Sequence, residues 1–150
     1  MTPMRASLAK ADSSSVILLV EDFRPLLLAM QFLLESSHYR VLTARTPMEA
    51  LTVQEKSGQR IDLLLTHVLM HGMTGPELAK RLRAKATQMA VLYMPDHPRG
   101  WLDENTSREV VASLLPEPFS EEVLLERVRG ALDGRAKGAT AGGDSSPNAT

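Results

Sequence analysis

Val16-Ile17-Leu18-Leu19-Val20-Glu21-Asp22 decides the fold. Five consecutive apolar residues suit a short strand, and their lack of polar alternation means that both faces are covered. Such a strand belongs to a parallel sheet with helices above and below it, and the following segments supply them. In residues 25–37, Leu26, Leu27, Met30, Leu33 and Leu34 recur at helical spacing. Tyr39-Arg40-Val41-Leu42-Thr43-Ala44 reads as a second strand. Thr46-Pro47-Met48-Glu49 is a capping box with proline at the first helical position, so a helix begins there and turns Ala50, Leu51 and Val53 inward. Ile61-Asp62-Leu63-Leu64-Leu65-Thr66 is a third strand, residues 76–86 a helix with Leu78 and Leu82 four apart, and residues 89–94 a fourth strand. Val110-Val111-Ala112-Ser113-Leu114-Leu115 reads as a fifth. Ser120 caps a last helix with Glu121 and Glu122 in its first turn, and Leu124, Val128 and Leu132 form its inner stripe. Residues 95–108, with Pro95, Pro98 and Gly100, predict a loop with at most a short helix at 102–107. Strands alternating with helices predict an α/β fold: a five-stranded, doubly wound parallel sheet in a three-layer sandwich.

Composition narrows the functions. The chain has 150 residues, 17 Lys and Arg against 18 Asp and Glu, and a net charge of −1, which makes no electrostatic case for nucleic acid or an anionic membrane as partner. With 43% apolar residues it has material for one core. No run reaches the roughly 18 apolar residues of a membrane helix. Residues 1–15 lack the apolar stretch of a secretory signal. Cysteine is absent, which removes disulfides, thiol catalysis and cysteine-ligated zinc. A cytoplasmic protein is expected. Residues 1–15, ending in Asp12-Ser13-Ser14-Ser15, and residues 134–150, with Gly134, Gly138, Gly142 and Gly143, cannot offset their ordering entropy by burial. They are expected to be disordered, leaving one domain over 16–133 and no output domain after it.

In an open parallel sheet, functional groups gather beyond the carboxyl ends of the strands. Glu21 and Asp22 follow the first strand, His67 the third, Pro95 the fourth and Glu117 the fifth. Leu19-Val20-Glu21-Asp22, Gly72-Met73-Thr74-Gly75, Val91-Leu92-Tyr93-Met94 and Glu117-Pro118-Phe119-Ser120 together resemble the response regulator receiver domains of two-component signalling. The resemblance covers residues 16–132 and implies the CheY-like, flavodoxin-like strand order 2-1-3-4-5. It also implies a phosphoryl acceptor aspartate after strand three and an acidic pair helping to hold Mg²⁺. A Ser or Thr after strand four and a lysine after strand five would contact the phosphoryl oxygens.

Here only the acidic pair matches, as Glu21 and Asp22. The acceptor position is His67, the hydroxyl position Pro95, and the lysine position Glu117; the proline usual in the following turn is His71. Exchanging lysine for Glu117 swings the local charge by two, each charge worth about 4 kcal/mol at about 4 Å and an effective dielectric near 20. Even discounted severalfold, this opposes a bound phosphoryl group, and Pro95 offers neither hydroxyl nor N–H. The expected function is a stand-alone pseudo-receiver, not an enzyme, that works by protein–protein contact without aspartyl phosphorylation. Its expected partners are a sensor histidine kinase or a downstream regulator. No cofactor is expected, Mg²⁺ at Glu21 and Asp22 being the one ion the resemblance implies. His67, beside Glu21, Asp22 and Glu117, is read either as a built-in cation titrating above the ordinary histidine value of about 6.5 or as a neutral, inert side chain.

Two alternatives belong to other classes: a receiver still phosphorylated at a non-standard residue, and a transition-metal-responsive sensor using His67, His71 and His97 with the carboxylates. Flavin would need a hydroxyl- and glycine-rich loop where Glu21-Asp22-Phe23-Arg24 stands. Trp101 is the large aromatic expected to anchor a partner, on the face of the last helix, strand five and residues 95–108. Lys80, Arg81, Arg83 and Lys85 read as a solvated helix face or a docking surface. Met70 and Met73 are expected to pack beside the turn, and His38 to take a left-handed backbone conformation.

Overall fold

The computed structural model describes residues 15–94, 110, 112–115 and 120–148, with side chains through residue 134. In chain order these form β1 (Val16–Val20), α1 (Arg24–Ser36), β2 (Arg40–Ala44), α2 (Pro47–Ser57), β3 (Leu63–His67), α3 (Gly75–Arg83), β4 (Ala90–Met94) and α4 (Glu121–Asn148). The strands make one parallel sheet in the order β2-β1-β3-β4. Ile17 pairs with Val41 on one side and Leu63 on the other, so β1 is central, as its unbroken apolar run requires.

Alternation along the strands sorts the core into two layers. Leu18, Val20, Leu64 and Val91 face Ala50, Leu78 and Leu82 of α2 and α3. Ile17, Leu19, Leu63 and Leu65 face Leu27, Met30 and Leu34 of α1 and Leu124 and Val128 of α4. Helices therefore cover both faces, and every strand points its carboxyl end the same way. Leu51 and Val53 of α2 pack half-buried beside Ala50, as the helical spacing predicts. His38 adopts φ +76°, the left-handed turn expected between α1 and β2.

Two local expectations are corrected. Among the described residues of the expected fifth strand, Val110 and Ala112 have helical backbone, and Leu114 pairs, in parallel, with Tyr93. Two hydrogen bonds hold it, Tyr93 N–H to Ser113 O at 2.8 Å and Leu115 N–H to Tyr93 O at 2.8 Å. The β-branched pair Val110-Val111 suggests a longer strand, and helical backbone at Val110 overrides that local preference. At Thr46 the hydroxyl accepts the Glu49 N–H at 3.0 Å, but the Glu49 carboxylate reaches Arg45 N–H at 2.6 Å, one residue before the cap. A full capping box stands instead at Thr74 and Glu77, opening α3.

Among the residues of α4 whose side chains are described, burial runs as far as Leu132, while the helical backbone continues to Asn148, past the boundary expected at 133. A helix nucleated against the sheet propagates at much lower cost than it starts.

At the opposite end of the sheet from the site, the buried Asp62 accepts the Val16 N–H at 2.8 Å through Oδ2 and the Arg60 Nε–H at 3.2 Å through Oδ1. The Asp62→Ala variant is expected to lose about 2 kcal/mol, because Val16 N–H is then buried without that acceptor. Arg60 is largely exposed, so Arg60→Ala is expected to change stability by less than about 0.5 kcal/mol. Urea midpoints of the two variants measure the difference; equal losses would assign the contribution to the ion pair.

Candidate functional site

Glu21, Arg45 and His67 sit at or just beyond the carboxyl ends of β1, β2 and β3. They meet in a cleft of about 310 Å³, also lined by Asp22, Thr46, Met70 and His71. Glu21 is held there because its own N–H donates to Ala44 O at 3.0 Å, continuing the sheet one residue beyond β1. The chain then turns into α1 with Pro25 in the first turn. His67 is the last residue of β3, paired with Met94 of β4. Behind it, Gly75 N–H donates to Val68 O at 2.7 Å, folding the start of α3 back onto the end of the strand.

The central contact is between His67 Nε2 and Glu21 Oε1, 2.6 Å apart. Glu21 is 2% exposed and the His67 side chain 17%. The other Glu21 oxygen accepts the Phe23 N–H at 2.9 Å. Burial by itself raises the Glu21 pKa. The hydrogen bond from His67, that from Phe23 N–H and the His67 charge act the other way and prevail, so the carboxyl titrates below its ordinary value. Asp22, by contrast, is exposed, and its backbone carbonyl accepts Arg45 Nη2–H at 3.1 Å. The acidic pair is thus divided: Glu21 is internal and engaged, while Asp22 faces the cleft mouth.

His71 lines the cleft and is exposed. Met73 is buried as expected, and the half-buried Met70 accepts the Thr66 hydroxyl at 3.2 Å through sulfur. Pro95, His97, Trp101 and Glu117 lie outside the described residues, as do residues 1–14. Among the described residues no three His, Asp or Glu side chains converge to hold a metal. Arg45 is the cleft residue that sequence reasoning passes over: one polar residue between a strand and a proline-started helix reads as a connector. Its signal is its place, directly after β2, where the sheet order makes it a neighbour of Asp22. Among the described residues, no helix is long and apolar enough to cross a membrane.

Known proteins share this fold. The receiver domain of the hybrid histidine kinase CckA superposes with a TM-score of 0.61 and 29% identity, over 79% of this chain and 99% of that one. A response regulator receiver domain protein of Clostridium thermocellum superposes with a TM-score of 0.68 and 25% identity, over 81% and 97%. In sequence, the chain is 34% identical over 117 residues to the transcriptional regulatory protein CpxR of Escherichia coli K12, covering 77% of this chain and 48% of that protein. It is 28% identical over 122 residues to the sensor kinase CckA of Brucella abortus, covering 81% of this chain and 13% of the kinase. The chain thus spans less than half the length of these two curated relatives. The family model of the response regulator receiver domain matches residues 17–129, and with the sheet order and the site at the strand ends it establishes that this chain belongs to the receiver domain family of two-component signalling.

Proposed function

We propose that this chain is a pseudo-receiver, a two-component signalling module that acts through protein–protein contact and takes no phosphoryl group on aspartate. The observation that carries the reading is the 2.6 Å contact between His67 and Glu21, at the strand-three position where the family has its acceptor aspartate. An imidazole there offers no carboxylate to phosphorylate. The residues also fit Mg²⁺ poorly. Both Glu21 oxygens are engaged within the protein, and His67 contributes nitrogen where a hard ion wants oxygen. His67 fills the role of a cation for Glu21, so the acidic end of β1 is neutralised without metal. Pro95 and Glu117 in place of the hydroxyl and the lysine support the same reading. Its partners on this reading are a sensor histidine kinase or a downstream regulator, with Trp101 the aromatic expected to anchor the contact.

The test is incubation of the full chain with acetyl phosphate and Mg²⁺, followed by intact-mass measurement. The expected result is no species about 80 Da heavier, the mass of one phosphoryl group. A stoichiometric adduct that His67→Ala abolishes would replace this reading by phosphoryl acceptance on His67. The variant His67→Asp is expected to remain unphosphorylated and to melt lower than the parent, because it sets a second carboxylate against Glu21. Its melting temperature is expected to rise with Mg²⁺ while that of the parent stays constant. Robust phosphorylation of this single variant would show that positions 95 and 117 matter less than argued.

A further inference from the structure

The cluster Lys80, Arg81, Arg83 and Lys85 has no part in the site at His67, yet it borders a second cleft. This cleft, about 380 Å³, lies between α3, β4 and the chain at Val110 and Ser113. Pro76, Ala79, Lys80 and Arg83 line it, spaced at i, i+3, i+4 and i+7, and so share one face of α3. Ala79, Val91, Tyr93 and Val110 make its wall apolar. Lys80 and Arg83 stand at its rim.

The two rim cations differ. Arg83 donates from Nε at 3.1 Å and Nη2 at 3.0 Å to Met89 O, which holds its guanidinium in place beside the cleft. Lys80 is exposed, and neither it, Arg81 nor Lys85 forms an ion pair with a described residue. Glu77, the acid on this helix, is spent on the Thr74 N–H. Cations suit a helix C-terminus, but that end carries only about half an elementary charge, and four cations in six residues exceed it.

We propose that this cleft and the basic face of α3 form a docking site for an acidic peptide segment of a partner protein, with one aliphatic side chain entering the cleft and carboxylates three or four residues apart meeting Lys80 and Arg83. Charge complementarity selects the acid, and the apolar wall selects the aliphatic side chain. Nucleic acid fits less well: a phosphate backbone gains nothing from an apolar cleft, and a chain of net charge −1 offers no wider basic field. The inference goes beyond the pseudo-receiver reading and can fail separately, since Lys80 takes no part in the chemistry at His67.

The test is selection of a random displayed peptide library against the full chain, with the Lys80→Glu variant for counter-selection. Lys80 is exposed, so both proteins are expected to melt alike. Selected peptides are expected to pair Asp or Glu with a central Leu, Ile or Val. By fluorescence anisotropy they are expected to bind the parent at least about tenfold more tightly than Lys80→Glu, with Lys80→Arg restoring affinity. Replacing the central aliphatic residue by serine is expected to cost a further factor of about ten, and added salt to weaken binding throughout. Selected peptides without acids, or equal binding to Lys80→Glu, would overturn the proposal. A DNA duplex that binds Lys80-dependently more tightly than any selected peptide would overturn it in favour of a phosphate-binding face.

Discussion

Gly75→Ala is expected to destabilise the domain by about 3 kcal/mol, at the upper end of what overpacking usually costs. A Cβ at this position would collide with His67 O and stand 3.2 Å from His67 C and 2.9 Å from Tyr93 Cε1. The first two atoms are backbone at the end of a central strand, and Tyr93 is buried on β4 with Ser113 and Leu115 bonded to its backbone. None of these is the free end of a flexible chain. Relief requires α3 to move away from β3, which lengthens the 2.7 Å bond from Gly75 N–H to Val68 O and shifts His67 at the site. Alanine ordinarily favours a helix over glycine by about 0.5–1 kcal/mol, which is too little to offset the clash. Gly130, on α4, supplies the contrast. Nothing lies within 4 Å of its Cβ position, so Gly130→Ala is expected to gain about 0.4–1 kcal/mol. Urea denaturation of the two variants decides the matter, and a Gly75→Ala protein as stable as the parent would mean that α3 is not pinned to β3.

The same position shows how far the sequence can be read. The turn Gly72-Met73-Thr74-Gly75 marks the resemblance, but nothing in it tells which glycine a Cβ would fill. Gly72 earns its place by φ +86°, whereas Gly75 does so by an approach to β3 that exists only once the sheet is assembled. The order of elements was legible because burial on two faces forces an unbroken apolar run at β1 and a helical period at α1. The fifth strand was less so: among its described residues Leu114 forms a bridge, which leaves no periodic trace, and the β-branched Val110 has helical backbone. At the site, the family spacing placed Glu21 and His67 at neighbouring strand ends. That Glu21 rather than Asp22 turns inward follows from its N–H bonding Ala44 O, a consequence of register and not of residue type.

The pair at the site sets the remaining expectation, a stability profile with a maximum between about pH 5 and 6.5. Glu21 titrates below its ordinary value, burial being outweighed by the hydrogen bonds from His67 and Phe23 and by the His67 charge. A carboxyl depressed by folding adds stability that is present above its unfolded pKa and is lost as pH falls through the folded one. The interaction is mutual: a carboxylate that gains from the imidazolium must favour that imidazolium equally. The exposed Asp22 adds to this attraction, while Arg45 and the neighbouring His71 oppose it from the same cleft. With Glu21 in direct contact, we expect attraction to prevail and His67 to titrate above about 6.5. Stability from a histidine raised by folding is complete below its unfolded value and is lost as pH rises through the folded one, by about 1.4 kcal/mol for each tenfold gain in proton affinity. His67→Gln is expected to flatten this alkaline flank. Glu21→Ala is expected to cost about 3 kcal/mol near pH 6, because it strands the His67 charge and removes the acceptor of Phe23 N–H. As pH rises through the His67 titration, the loss is expected to shrink. The His67 imidazole resonance, assigned with His67→Gln, measures the midpoint directly. A midpoint below about 6 would make His67 a neutral partner that donates a hydrogen bond to Glu21 without a charge, and the internal cation would have to be abandoned.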